Sequence, residues 1–181
     1  MANPLVLVLG GTRSGKSHFS LELTKAFAGS DRAWFLATAW RGDPEMERRI
    51  ERHQRDRPAS WPTVDVGTDL ASAVGRAAAS EPILVEGLTL WLSALVGDDL
   101  QDPDAILDGP VAAALAAIRR YPGPIVVVSD EIGLGSVPMP PVARAFRDLV
   151  GLVHQRFAAQ SDEVQLVVAG LPLTLKSRGE R

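Results

Sequence analysis

The stretch Gly10-Gly11-Thr12-Arg13-Ser14-Gly15-Lys16-Ser17 constrains this chain more than any other. It follows a short apolar run, Leu5-Val6-Leu7-Val8-Leu9, and opens onto a helical pattern from Phe19 to Phe27. Buried strand, glycine-rich turn and helix start are the order that a phosphate-binding loop requires. Glycines let backbone N–H groups close around a polyphosphate, and the helix start adds the positive end of its dipole. Lys16 would reach the β- and γ-phosphates, and the Ser17 hydroxyl would hold Mg²⁺. The alternative is an ordinary strand-to-helix turn with a solvated lysine. The full motif with the right flanks favours a nucleotide-binding protein.

The rest of the chain extends that βα beginning. Residues 33–38, 83–86, 125–129 and 164–169 read as buried strands, and 63–66 as a short one. Helices are expected over 45–57, 69–79, 88–96, 111–120 and 142–159. Residues 97–110, with five aspartates and a closing Gly-Pro, read as loop at first. Leu173 to Lys176 returns through Gly170–Pro172 as an antiparallel end hairpin. Apolar strands alternating with helices predict an α/β fold with a mostly parallel sheet covered on both faces. At 181 residues, with no repeat or low-complexity tract, one catalytic domain over 1–181 is expected, its tail from 177 to 181 frayed.

Composition narrows the chemistry. The net charge of −3 leaves no broad basic surface to hold nucleic acid by counterion release. The absence of cysteine removes disulfides, thiolate metal sites and cysteine nucleophiles. Neither a signal peptide nor an apolar run of membrane-spanning length is read, so a cytoplasmic location is expected.

Glu86 ends a buried strand, where the acidic residue of a nucleotide-binding sheet stands near Mg²⁺. An ordinary polar strand terminus fits equally. Asp130 and Glu131 end the 125–129 strand ahead of Gly133 and Gly135, and would serve a metal, a second substrate or a simple turn. In the charged helix, Met46, Ile50 and His53 fall at i, i+4 and i+7, which turns His53 toward the protein body. There it is either a satisfied, half-buried histidine or a neutral imidazole able to act as nucleophile on the nucleotide. Arg49, Arg52, Arg55 and Arg57 surround it. His18 reads as solvent-facing and His154 as structural, at the edge of the last helix's apolar stripe of Val142, Phe146, Leu149, Val153 and Phe157. No Asn-Lys-x-Asp motif occurs, which argues against a signalling GTPase.

Taken together, the motifs resemble the bifunctional adenosylcobinamide kinase / adenosylcobinamide-phosphate guanylyltransferase family of cobalamin biosynthesis. The matching pieces are the 10–17 loop, Ala37-Thr38, Glu45-Met46, Arg49-Ile50 with His53, and Arg57-Pro58 with Trp61. Further on come Leu84-Val85-Glu86, Leu88-Thr89-Leu90-Trp91-Leu92, Glu131-Ile132-Gly133-Leu134-Gly135, and the block from Ala143 to Gly151. Gln155-Arg156, Asp162-Glu163-Val164 and Val167 to Pro172 complete the series. The resemblance implies a RecA-like P-loop fold, often a homotrimer, with ATP and GTP as substrates and adenosylcobinamide and its phosphate as acceptors. A nucleoside triphosphate would phosphorylate the aminopropanol hydroxyl, and GTP would then deliver GMP through a guanylyl-histidine. By resemblance the nucleophile is His53. GTP contacts are implied at Gly10, Gly11, Thr12, Arg13, Ser14, Gly15, Lys16, Ser17, Ala37, Thr38, Ala39, Gln54, Arg55, Asp56, Arg57, Asp65 and Glu86. Gly87, Asp130, Met139 and His154 depart from the family's usual residues. A P-loop kinase without nucleotidyl transfer, and a non-catalytic nucleotide-binding regulator, are the competing readings.

Overall fold

A computed structural model describes residues 4–29, 32–40, 47–48, 51, 55, 57–78, 80–97, 100 and 102–179. Its centre is strand β1, Leu5–Gly10, whose six residues are all buried. Alternation along a strand sends Leu5, Leu7 and Leu9 to one face of the sheet and Val6 and Val8 to the other. Both faces are therefore apolar, as a sheet covered on both sides demands.

The remaining strands are β2 (Trp34–Ala37), β3 (Thr63–Asp65), β4 (Ile83–Glu86), β5 (Ile125–Asp130), β6 (Glu163–Val168) and β7 (Leu171–Lys176). Among the described residues they form one sheet in the order β3-β2-β4-β5-β1-β6-β7. Every neighbouring pair is parallel except β6 and β7. The α/β expectation with an antiparallel end hairpin is thus met. The hairpin turn is tighter than expected, because Ala169 and Gly170 both adopt positive φ, 52° and 81°. Two such residues are what a type I′ connection uses.

Helix α1 (Lys16–Ala28) covers one face with Leu21, beside Phe35 and Trp61. The other face is covered by α2 (Leu70–Gly75), α3 (Leu88–Val96), α5 (Ala112–Arg120) and α6 (Pro141–Gln160). Asp69 caps α2 by accepting from the Ser72 amide at 2.9 Å. That helix ends at Gly75, short of the predicted 79. In α6 the stripe reaches the core through Leu149, Val153 and Phe157, while Phe146 is only partly buried. Val142 is exposed, because its turn precedes the part of the helix packed on the strands.

The loop expected over 97–110 is corrected. Residues 103–106 form helix α4 (Pro103–Ile106), continued by a π-helical turn, Leu107–Val111. The aspartates that suggested loop include the cap: Asp102 accepts from the Ala105 amide at 3.0 Å, and Pro103 occupies the first turn, where its missing N–H costs nothing. Leu107 and Val111 then anchor the turn in the core. None of the helices described is long and apolar enough to cross a membrane.

Candidate nucleotide site at the carboxyl edge of the sheet

Because the central strands are parallel, their carboxyl ends share one edge, the place where open α/β sheets bind ligands. Strand register makes the alignment close. Gly10 lies opposite Asp130, and Ala37 lies opposite both Asp65 and Glu86. Five strand ends therefore present their last residues along one edge.

The phosphate loop leaves β1 at Gly10 and turns into α1 at Gly15, whose φ is +94°. A side chain at Gly15 would be strained by that backbone, and its Cβ would sit 2.9 Å from Gly170 Cα. The hairpin turn between β6 and β7 thus packs directly on the loop. It also bonds to it, since the Gly170 amide donates to the Ser14 carbonyl at 2.7 Å. On the other side the Glu131 amide donates to the Gly10 carbonyl at 3.0 Å. The loop is braced from both neighbouring strands.

Lys16 is buried and its ammonium lies 2.6 Å from Asp130 Oδ1. It also donates to the Gly11 carbonyl at 3.1 Å. The cation that would meet phosphate is thereby fixed within the loop, with a carboxylate as its countercharge. Asp130, left open in sequence between metal, second substrate and turn, is the partner of the loop lysine. Glu131 instead folds back on its own turn, accepting from the Gly133 amide at 2.7 Å.

Ser17 Oγ donates to Glu86 Oε1 at 2.6 Å, so the two residues expected at Mg²⁺ are side by side. Their hard oxygens suit a small divalent cation whose other ligands are phosphate oxygens and water. Among the described residues no group of three or more His, Asp or Glu could hold a metal without such help. Thr38, buried after β2, donates to the carbonyls of Glu86 and Gly87, both at 2.7 Å, and ties β2 to the end of β4. Gly87 takes a φ of +98°, and a Cβ there would stand 2.7 Å from Thr38 Oγ1. This local packing favours glycine at position 87.

Beside this edge is a cleft lined by Ser17, His18, Phe35, Arg57, Leu84 and Glu86. Arg57 lies over the Phe35 ring, 4.2 Å from its centroid. Burial lowers the pKa of its guanidinium, and the charge of Asp65 opposes that shift. An aromatic ring stacked with an arginine at the edge of a phosphate loop is a surface on which a planar base can lie. His18 is exposed, as expected. Arg55 is exposed on the charged helix, with its Nε donating to the Glu51 carbonyl at 3.3 Å. His53, Gln54 and Asp56, together with Met46, Arg49, Ile50 and Arg52, lie outside the described residues.

Behind the loop lies a chain of hydrogen-bonded hydroxyls that no motif in the sequence announces. His154 Nε2 lies 2.7 Å from Ser129 Oγ, which lies 2.8 Å from Thr89 Oγ1. The Asp130 amide donates to the same threonine at 3.1 Å. Burial pushes the His154 pKa down, against the pull of Glu131 and Asp130. A polar triplet of Thr, Ser and His on three separate elements has no sequence spacing by which to be found.

A solved ATPase domain, 12% identical to this chain, superposes with a TM-score of 0.56. The match covers 98% of this chain and 78% of that one, which shows a P-loop NTPase fold. The bifunctional adenosylcobalamin biosynthesis protein CobP of Pseudomonas aeruginosa is 42% identical over 94% of this chain and 96% of its own length. The bifunctional adenosylcobalamin biosynthesis proteins CobU of Escherichia coli and Salmonella typhimurium are 34% and 35% identical, each over 95% of this chain and 99% of theirs. A family model described as cobinamide kinase / cobinamide phosphate guanyltransferase matches residues 6–175. With its loop, strand-end acids and near full-length relatives in agreement, the chain belongs to the cobinamide kinase / cobinamide phosphate guanyltransferase family.

Proposed function

We propose that this chain phosphorylates adenosylcobinamide with a nucleoside triphosphate and then transfers GMP from GTP to the phosphate it has made. Family membership favours this two-step enzyme over a kinase alone. The observation that carries it is the convergence of Lys16, Ser17, Glu86 and Asp130 on the loop that would grip the triphosphate.

In the first step the acceptor hydroxyl oxygen bonds to the γ-phosphorus, the bond from that phosphorus to the bridging oxygen breaks, and one proton is released. Lys16 and the loop amides face the charge that gathers on the departing diphosphate. In the second, His53 attacks the α-phosphorus of GTP and expels pyrophosphate, and the new phosphate displaces the histidine to give adenosylcobinamide-GDP. Residues 10–17, Ala37, Thr38, Ala39, Gln54, Arg55, Asp56, Arg57, Asp65 and Glu86 are assigned to GTP. Mg²⁺ is assigned to Ser17 and Glu86, where it would neutralise phosphate charge. A homo-oligomer is also proposed. Its support is the apolar β6–β7 surface, where Val168, Leu171, Leu173 and Leu175 are all more than half exposed on an edge that ends the sheet.

The test uses GTP labelled at the α-phosphate. Label should appear on the protein, acid-labile and alkali-stable as a phosphoramidate is, and be absent from His53→Ala. An unlabelled native protein would sink the guanylyl-histidine. His53→Ala should keep cobinamide phosphorylation, whereas Lys16→Ala should lose most of both activities.

A further inference from the structure

The segment between β5 and α6 combines two properties seldom found together. It is firmly held, and its apolar side chains point to solvent. Glu131 accepts from the Gly133 amide through both carboxylate oxygens, at 2.7 and 3.1 Å. Arg147 donates to the Gly133 carbonyl, and Arg144 donates to the carbonyls of Pro138 and Met139. Ile132 packs inward against the core. Yet Leu134 is 82% exposed, Val137 67% and Met139 87%. Two arginines and a glutamate fix the backbone from within while three large apolar side chains are left bare. Singly exposed apolar residues need no explanation; a run of them on one pinned segment marks a binding surface.

Its position says what would bind. The segment starts one residue after Asp130, which holds Lys16, and the Glu131 amide is bonded to Gly10 of the phosphate loop. Leu134 is three residues further, at most about 11 Å of backbone from that bond. A kinase acceptor must bring its hydroxyl to the γ-phosphate on this same edge, so the bulk of the acceptor has to lie against what surrounds the edge. On the cleft side stand Arg57 and Phe35, suited to a base. The β5–α6 segment lies on a different strand end and is apolar. Cobinamide is a wide corrin macrocycle with apolar faces, an amide-bearing rim and a flexible arm ending in the reacting hydroxyl. Resting on the proposed cobinamide kinase reading, we infer that Leu134, Val137 and Met139 form a platform for the corrin face, with the hydroxyl arm reaching over Asp130 to the phosphate loop. The carbonyls of Gly133, Pro138 and Met139 are already engaged by Arg147 and Arg144, which leaves the bare apolar side chains as the main contact this segment offers.

The experiment is equilibrium dialysis of cobinamide, read by its own absorbance, against the full chain carrying a non-hydrolysable GTP analogue. Leu134→Ser combined with Met139→Ser should raise the cobinamide Kd roughly tenfold, the loss expected when apolar anchors of a contact are removed. The Kd for the GTP analogue and the gel-filtration elution volume should stay unchanged, and Leu134→Ile with Met139→Leu should retain cobinamide binding. An unchanged cobinamide Kd in the serine variant overturns the platform. So does a parallel loss of nucleotide binding, which would mean damage to the fold. A shifted elution volume also overturns it, since the surface would then join copies of this chain. Failure of the native protein to bind cobinamide would overturn the proposed function itself, a different result from any of these.

Discussion

Lys16 carries the electrostatic tension of the site. Its ammonium is buried and its countercharge is Asp130, the group with which the phosphates of the proposed nucleotide would compete. A buried cation without a partner is costly, so the loop is stable only with a negative charge beside it, from Asp130 or from ligand. Asp130 is itself held from behind by Thr89, Ser129 and His154. His154 gives that support a pH dependence. Burial holds its folded pKa below the ordinary value of about 6.5, so the unfolded chain binds a proton more readily. Native stability should therefore fall as pH drops through about 6.5 toward the folded pKa. In His154→Asn that part of the slope should vanish, read as a smaller loss of Tm between neutral and mildly acidic buffer. An equal loss of Tm in both proteins would refute it. The placing of the loop, Ser17 and Glu86 at one edge was legible because local spacing and strand ends encode it. The Lys16–Asp130 pair was not, since it depends on β5 lying beside β1, and strand order is not written in any single segment.

Among the elements, α6 does the most to set the site's outer wall. Its core residues Leu149, Val153 and Phe157 lock it to the sheet, while Arg144 and Arg147 in its first turns hold the segment before it. Truncating Phe157 to alanine should cost about 3–5 kcal/mol, measured by urea unfolding, because the ring is fully buried. A cost under about 1 kcal/mol would show that the helix is anchored elsewhere. The strands and long helices were readable from apolar runs and 3.6-residue stripes. The segment 97–110 misled because its aspartates suit both loops and helix caps, and only Leu107 and Val111 reaching the core decides between them. The exposed end of the α6 stripe at Val142 misled for a related reason: periodicity identifies a face but not how far along it a neighbour extends.

For the whole molecule, the controlling fact is that the phosphate loop is encoded near the start of the chain and supported from near its end. Strand β1 is gripped between β5 and β6, and the loop's Ser14 carbonyl is capped by Gly170. A chain stopped after Gln160 lacks β6 and the capping turn, and should fail to retain a fluorescent GTP analogue that the full chain binds. Retention by the shortened chain would show the loop to be self-sufficient. The same arrangement has a consequence in time. Leu5 donates its amide to Asp162, 157 residues later, so β1 leaves the ribosome long before its partner strand exists. At about 5–20 residues per second that interval is on the order of ten seconds. Throughout it the nascent chain carries a complete nucleotide motif that lacks the β6–β7 side of its brace, and the loop reaches its full support only as the last of the sheet is made.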